Sequence, residues 1–568
     1  MRNWIKLLAA VAAALILTVF ATTTPAPIPA DAPAAGFSAA RAMADVRAIA
    51  GAPRPTGSAQ NARVRAYLAD RLRALGMTVV EREGPLGSYA TKRLARWSGR
   101  DASGVRAVNV IGVLEGRDPA KPALLLMAHH DSVWGSPGAA DDAAGVAAIL
   151  ETARAIVADG RRPDRTLMIL FTDAEELGLD GASAFFAQDP LRGRAGVIVN
   201  LEARGSGGRA SMFETGRSSG AMMDLFARSV RLPVATSLSV FVYNNLPNST
   251  DYTPAKNRGI PGFNFAFIGR PGLYHSPLAT PDALDQGSLQ DMGRQTLDLS
   301  RALLAAPELP GKAPDRVFYD LFGMLLLIYP AWAGWLILAA AVGAYAWAGW
   351  RVTGLRALGR GAGAALALFL GAAVLLFLGN LLSGADGPVN YYDRLAANAR
   401  LEVQALLLCL GAAAIVAGLL FTRRDTVPLA PAFALPLLLL AAAGQAAAPT
   451  AAFPLQIALL LGGTGAAALR WRDGGAGGWT AAALAALGLG YMLVLGHALF
   501  QAMGSDMPYL MALPLVLGVV PLIPLLGRIE RRQALLAGSA AIAAGLAIAL
   551  WVRLDALAES VAVYSGMH

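Results

Sequence analysis

Residues 123–178 read ALLLMAHHDSVWGSPGAADDAAGVAAILETARAIVADGRRPDRTLMILFTDAEELG, and the order of patterns in this stretch decides the fold. An apolar run, Ala123–Ala128, ends at two histidines. A helical pattern follows from Ala143 to about Ala158, and a second apolar run spans Thr166–Thr172. Apolar runs of about four to eight residues on either side of a longer helical segment read as strand, helix, strand. Two further strand patterns, Ala107–Leu114 and Val197–Leu201, and two helix patterns, Ser38–Ile49 and Ala59–Leu75, flank this core. The alternation predicts an α/β fold, a mainly parallel mixed sheet flanked by helices.

Farther along, the chain changes character. Of its 568 residues 55% are hydrophobic and only 15% are charged, against about 25% charged in a typical soluble protein. The excess lies after Leu321, where Leu, Ala, Gly and Val form runs of membrane-crossing length. About eight are expected, near 325–348, 362–384, 402–421, 427–446, 453–469, 479–501, 508–527 and 533–551. At the other end, Arg2 and Lys6 precede an apolar stretch from Leu7 to about Thr22, the pattern of an export signal. The expected organisation is a signal anchor or signal peptide over 1–24 and a Pro/Ala linker over 25–36. An α/β domain over 37–310, an all-α multi-span membrane domain over 321–552 and a tail over 553–568 follow.

The net charge of +9 does not point to nucleic acid, because basic and aromatic residues are not interleaved on a common surface and the Arg excess falls between apolar runs. Arg351, Arg356, Arg360, Arg423, Arg424, Arg470, Arg472, Arg528, Arg531 and Arg532 occupy one set of connections; the alternate set and the tail hold Arg394, Arg400 and Arg553. By the positive-inside rule the richer set is cytoplasmic, which places the α/β domain on the opposite face, as the N-terminal flank does independently.

Chemistry concentrates in five short segments: Ala128-His129-His130-Asp131-Ser132, Ala140-Asp141-Asp142-Ala143-Ala144-Gly145, Asp173-Ala174-Glu175-Glu176-Leu177-Gly178, Asn200-Leu201-Glu202-Ala203 and Tyr274-His275-Ser276-Pro277. The single cysteine, Cys409, lies in an apolar run, so an intrachain disulfide and a thiolate metal site are both excluded. Of five histidines, the three in the α/β domain all fall in these segments. A histidine at a strand end is often structural and paired glutamates on a loop are often solvated. Here, however, Asp131, Asp141, Asp142, Glu175 and Glu176 sit beside apolar strands, where uncompensated carboxylates are costly. Imidazole and carboxylate together form a metal-ligand set, and a shared carboxylate is what two neighbouring ions require.

The set and its order resemble family 28 of the metallopeptidases over about Phe37 to Leu303. In architecture the nearest branch is that of the endoplasmic-reticulum metallopeptidase and its vacuolar relatives; Val199-Asn200-Leu201-Glu202-Ala203, with Glu where many relatives carry Asp, is similar to that branch. The resemblance implies two Zn2+ ions. It makes His129 and Glu202 ligands of one, Glu176 and His275 ligands of the other, and Asp141 the bridge, followed by a peptide that is cis in relatives. It implies that Asp131 orients His129, that Glu175 is the general base and that Tyr274 donates to the developing oxyanion. His130 occupies the variable position between His129 and Asp131 and reads as a non-ligand; Ala144 stands where many relatives carry Ser.

The function implied is a membrane-anchored zinc exopeptidase, an aminopeptidase, with a peptide substrate and the lipid bilayer as its partners and no nucleic acid. Two readings stand beside it: a glutaminyl cyclase-like one-zinc enzyme, against which the His129-x-Asp131 pair argues, and a catalytically inactive scaffold for membrane-protein assembly, against which the filled ligand positions argue. His497 and Gln501, on one helix face, read as polar glue between spans. The protein is expected to be an integral, multi-pass membrane protein with its catalytic domain non-cytoplasmic, on the periplasmic side of the inner membrane in a bacterium. A reporter fused after Arg424 or Arg472 is therefore expected to read as cytoplasmic, and one fused near Ala396 as external. The reverse pattern would invert the arrangement.

Overall fold

The computed structural model describes residues 2–349, 354–387, 391–420, 429–471, 475–527 and 529–555. The unit from Thr23 to Ile328 is built on β1 (Thr78–Pro85), β2 (Arg106–Leu114), β3 (Ala123–His129), β4 (Leu167–Thr172), β5 (Ala195–Ala203), β6 (Ser211–Thr215) and β7 (Gly262–Phe267). Their order across the sheet is β1-β2-β4-β3-β5-β7-β6. The four central strands, β4, β3, β5 and β7, are mutually parallel, and the outer strands run antiparallel. The sheet is mixed and mainly parallel in its middle, as expected. β2, the sequence pattern at 107–114, is one of the antiparallel members. β1, β6 and β7 lack a pattern strong enough to stand out, since β1 is exposed along most of its length and β6 and β7 are short.

The central strands carry no solvent face. β3, β4 and β7 are buried at every residue. Such continuous burial is what a parallel sheet covered on both sides demands. Leu124, Leu126, Ile169, Val199 and Phe265 pack into one core with the helices Ala39–Ile49, Gly145–Ala158 and Gln286–Ala305, while Leu125, Met127, Leu170 and Ile198 pack into a second with Phe185 and Phe186. Helix entries are capped as their sequences suggest: Ser38 accepts from Arg41 N, Ser58 from Asn61 N and Asp285 from Gly287 N. The stretch 25–36, read as a linker, is tied down. Thr24 Oγ1 donates to Asp285 Oδ2 at 3.0 Å and Ile28 N to Gln290 Oε1 at 3.0 Å.

A hairpin of β8 (Arg316–Leu321) and β9 (Leu325–Pro330) corrects one boundary. The expected first span, 325–348, starts later, as a helix over Ala333–Gly349, and the expected border at 321 falls inside the hairpin. Leu325-Leu-Leu-Ile-Tyr-Pro330 is apolar enough for a span, but a short apolar run suits a strand equally well, and pairing with β8 decides it.

In the second unit, the elements among the described residues are helices apart from the last two residues of β9. Among the described residues, eight helices are long and apolar enough to cross a membrane: Trp4–Thr22, Leu355–Ala385, Asn398–Leu420, Leu429–Ala447, Phe453–Trp471, Ala476–Met503, Pro508–Leu525 and Arg531–Leu554. These, with the shorter Ala333–Gly349, account for every expected run. Residue 421 of the third run, residues 427 and 428 of the fourth, Arg351, Arg423, Arg424, Arg472 and Arg528, and the tail from 556 lie outside the described residues. Small residues let backbones approach: a Cβ on Gly411 would stand 3.0 Å from Gly538 O, and one on Gly538 3.0 Å from Gly411 O. Polar glue is present as read. Glu402 Oε1 meets His497 Nδ1 at 2.6 Å, and Glu402 Oε2 accepts from Gln501 Nε2 at 2.7 Å.

Asp320, at the end of β8, accepts from Gly323 N at 2.7 Å and Ala235 N at 3.3 Å, and burial pushes its carboxyl up to about 6. The folded state therefore binds this proton more tightly than the unfolded one. The stability so contributed is complete below the ordinary value of 3.8 and is lost as the pH rises through about 6. Asp320→Asn, uncharged throughout, is expected to gain melting temperature relative to the unaltered chain as the pH is raised from about 4 to 7. A difference that stays flat across that range would show that Asp320 titrates alike in both states.

Candidate metal centre

Each of the singled-out segments lies at or beyond the C-terminal end of a central strand. This is where ligands bind in open α/β sheets. His129 ends β3, with its register partner Thr172 ending β4. Asp173 to Glu176 follow β4, Glu202 stands one residue before the end of β5, and His275 lies in the loop after β7.

Asp141 is the centre of the cluster. Its Oδ1 lies 3.1 Å from His129 Nε2 and its Oδ2 lies 3.0 Å from His275 Nε2, so one carboxylate addresses two imidazoles. Glu202 Oε2 is 3.9 Å from His129 Nε2, and Glu176 Oε1 is 3.1 Å from His275 Nε2. Two groups result, His129–Asp141–Glu202 and Asp141–Glu176–His275, and within each the donor atoms lie within 4.8 Å of one another. A third grouping at the same distance limit is His129–Glu175–Glu176. All five side chains named for metal binding are brought together.

The turns that aim these groups are tight. The Asp141–Asp142 peptide is cis, as the resemblance implies. Ala174 (φ 58°) and His275 (φ 55°) adopt the left-handed conformation that side chains rarely take. Asp142 sits below the site, accepting from Gly145 N at 3.0 Å and from His129 N at 3.3 Å; a Cβ on Gly145 would fall 2.3 Å from Asp142 Oδ1, which only glycine avoids.

Asp131 faces the other side of the His129 ring. His129 Nδ1 is 3.2 Å from Asp131 O and 3.4 Å from Asp131 Oδ1, and the Asp131 carboxylate also accepts from Glu175 N at 3.2 Å and Glu176 N at 3.3 Å. One aspartate thus ties the β3 end to the β4 loop. His130, fully buried, turns away: its Nε2 meets Val108 O at 3.0 Å and its Nδ1 meets Asn61 Nδ2 at 3.4 Å. Tyr274 stacks on His275, ring centroids 3.7 Å apart.

Electrostatics mark the cluster as a place where charge is unusually constrained. Burial, with the carboxylates around it, pushes Glu175 well up and Glu202 up to about 8, while the nearby His129 pulls both back. For Asp141 burial also pushes up, yet its hydrogen bonds to His129 and His275 outweigh it and hold the carboxyl below its ordinary range. His129 is raised against its own burial by Asp131 and Asp141. Glu176 Oε1 is buried and accepts no hydrogen bond of acceptable geometry, although His275 Nε2 is near. A buried acceptor without a donor, two imidazoles presenting Nε2 and three converging carboxylates are a donor set suited to zinc.

Two side chains of this region have no local signal in the sequence. Arg54, fully buried, donates to His130 O at 2.7 Å, Gly138 O at 3.0 Å and Pro137 O. Desolvation lowers its guanidinium to about 10 against the pull of Asp131, Asp141 and Asp142. Asp251, also fully buried, accepts from Thr172 Oγ1, and burial raises its carboxyl to about 7. Each comes from a polar loop whose composition resembles many others.

Sheet order and the converging histidines and carboxylates define the class, an α/β domain with a candidate metal centre at the carboxyl edge of its parallel strands. Residues 109–300, the region that carries the centre, match the family model for Peptidase family M28. Among curated proteins the chain is 31% identical over 300 residues to endoplasmic reticulum metallopeptidase 1 of Mus musculus, covering 50% of this chain and 33% of that protein. It is 30% identical over 305 residues to the vacuolar membrane protease of Eremothecium gossypii, covering 51% and 30%. The chain spans about a third of the length of these relatives. Among solved structures it is similar to an aminopeptidase from Aneurinibacillus sp. strain AM-1 (18% identity, 49% of this chain and 97% of that one, TM-score 0.39). Another is the glutaminyl cyclase of Porphyromonas gingivalis (21% identity, 46% and 98%, TM-score 0.37).

Arg54 ties the loop after β3 to the turn carrying Asp141. Arg54→Met would remove a donor from three carbonyls, of which Gly138 O keeps Ala143 N, and leave the buried acids without their cation. A loss of stability on the order of 3 kcal/mol is expected, read as a lowered melting temperature of the full chain in detergent. An unchanged melting temperature would show that the two loops hold without this clamp.

Proposed function

We propose that this protein is a membrane-anchored two-zinc exopeptidase, an aminopeptidase, whose catalytic domain faces away from the cytoplasm. The observation that carries the reading is the Asp141 carboxylate, with one oxygen directed at His129 Nε2 and the other at His275 Nε2, 3.1 and 3.0 Å away. His129, Asp141 and Glu202 would hold one ion, and Asp141, Glu176 and His275 the other. Zinc, when bound, supplies Lewis acidity and makes water acidic enough to act as a nucleophile near neutral pH.

The chain's own groups carry the remaining work. Asp131, beside His129 Nδ1, keeps the ring turned so that Nε2 faces the cluster. Glu175 is the general base. Its carboxyl, raised by burial and by the acids around it, takes a proton from the attacking water and delivers it to the departing amine. Glu175 and Glu176 are adjacent in sequence yet divide the roles, because Glu176 lies against His275. Tyr274 is positioned by its stacking on His275 and donates its hydroxyl to the oxyanion that develops on the scissile carbonyl. Peptide is the substrate, and the free terminal amine is recognised by the surrounding carboxylates.

Zinc analysis of the purified full chain is expected to give about two ions per molecule, and chelation to abolish hydrolysis of peptides with free N-termini. Glu175→Gln is expected to keep both ions and lose turnover by about 10²–10⁴-fold, whereas Glu176→Gln loses an ion as well. One ion per chain favours a cyclase, none a scaffold. Cleavage of N-acetylated peptides at the same rate as free ones would sink the aminopeptidase assignment.

A further inference from the structure

A row of polar side chains crosses the sheet at the level of the metal centre. Asn200 on β5 stands opposite Asn264 on β7, which stands opposite Glu214 on β6. These three strands are neighbours, so their side chains lie side by side at a spacing of about 4.8 Å. Asn200 and Asn264 are fully buried and Glu214 is nearly so. Three buried polar groups in a sheet whose neighbouring positions are apolar cost stability unless each is satisfied.

Apart from Asn200 Oδ1, which is buried without a hydrogen-bond partner, their polar atoms are paired, and in one direction only. Lys256, which ends the helix Tyr252–Lys256, donates from Nζ to Glu214 Oε1 at 2.7 Å and to Asn244 Oδ1. Asn264 Nδ2 donates to Glu214 Oε2 at 2.8 Å and to Thr250 Oγ1 at 2.9 Å. Asn200 Nδ2 donates to Asn264 Oδ1 at 3.0 Å and to Glu202 Oε1 at 2.9 Å. A carboxylate paired with an ammonium can only accept. Asn264 must therefore offer its amide nitrogen to Glu214 and its oxygen to Asn200. Asn200 must in turn offer its nitrogen to Asn264, and the second N–H of that nitrogen reaches Glu202, two residues on and on the same strand face.

We infer that Lys256, acting through Glu214, Asn264 and Asn200, is a positioning residue for Glu202. The inference rests on the two-zinc reading above. The charge of Lys256 fixes the direction of every donor in the row, and the row holds Glu202 by Oε1, which leaves Oε2 on the side of His129. The effect is confined to the His129–Asp141–Glu202 group. None of the row's hydrogen bonds reaches Glu176 or His275, so the row touches the Asp141–Glu176–His275 group only through the shared Asp141.

The test titrates zinc on the full chain in detergent against a chromophoric chelator. Lys256→Met is expected to weaken one of the two ions by about 10–100-fold and leave the other unchanged, and Lys256→Arg, which keeps the charge, to restore it. Lys256→Met strands the Glu214 carboxylate, so the double variant Lys256→Met/Glu214→Gln is measured beside it. The double variant removes both charges and keeps the shape, but the row no longer has a fixed direction, and the same selective loss is expected. Two ions bound as tightly in the double variant as in the unaltered chain, or both weakened alike, overturns the inference. An unaltered chain that binds fewer than two zinc ions overturns the two-zinc reading, and this inference falls with it.

Discussion

Carboxylates crowded together in a buried cluster are the constraint on which the α/β unit depends. Asp131, Asp141, Asp142, Glu176, Glu202 and Asp251 are all buried, and Glu175 stands among them. In an apolar interior each would cost several kcal/mol as an unpaired ion. The fold meets this in three ways. Imidazoles are set against the carboxylates, most clearly at Asp141. Backbone N–H groups are directed at Asp131 and Asp142 from the loops that carry the other site residues. One buried guanidinium, Arg54, lies among the acids while its own donors are spent on backbone carbonyls. Repulsion between the acids is thus turned into a fixed arrangement of loops around a centre that favours cations.

The sheet supplies the rigidity. Parallel strands covered on both faces end together at one edge, so His129, Thr172 and Glu202 emerge side by side. The sharp turns at Ala174 and His275 store backbone strain that only the surrounding packing sustains. Farther from the centre, the row from Asn200 to Lys256 shows the same economy. Polar side chains are admitted to the sheet interior where register places them in a connected line. The helical unit solves a different problem. Its interior is lined with Gly and Ala at close approaches, with polar contacts such as Glu402–His497 confined to places where helices meet.

Much of this was legible in the linear pattern because it depends on local order. Apolar runs of strand length around a helical segment imply parallel pairing, and runs of membrane length imply spans. The five segments bearing His, Asp and Glu stand out because every histidine of the domain falls within them, beside acidic residues that follow apolar runs. The first apolar run after 320 misled, since Leu325–Pro330 satisfies the composition of a span and of a strand, and only its partner β8 resolves the ambiguity.

What the sequence by itself determined is therefore the kind of fold, the run of apolar helices and the segments in which the candidate site residues lie, all properties of patterns within a few tens of residues. Only the tertiary structure decided that Asp141 faces His129 with one oxygen and His275 with the other, across 134 positions of chain. It alone decided that His130 turns toward Val108, that Arg54 clamps two loops and that Lys256 is joined to Glu202 through three strands. Those relations are set by strand register and loop closure, and a register is a property of two segments at once, which no single stretch of sequence contains.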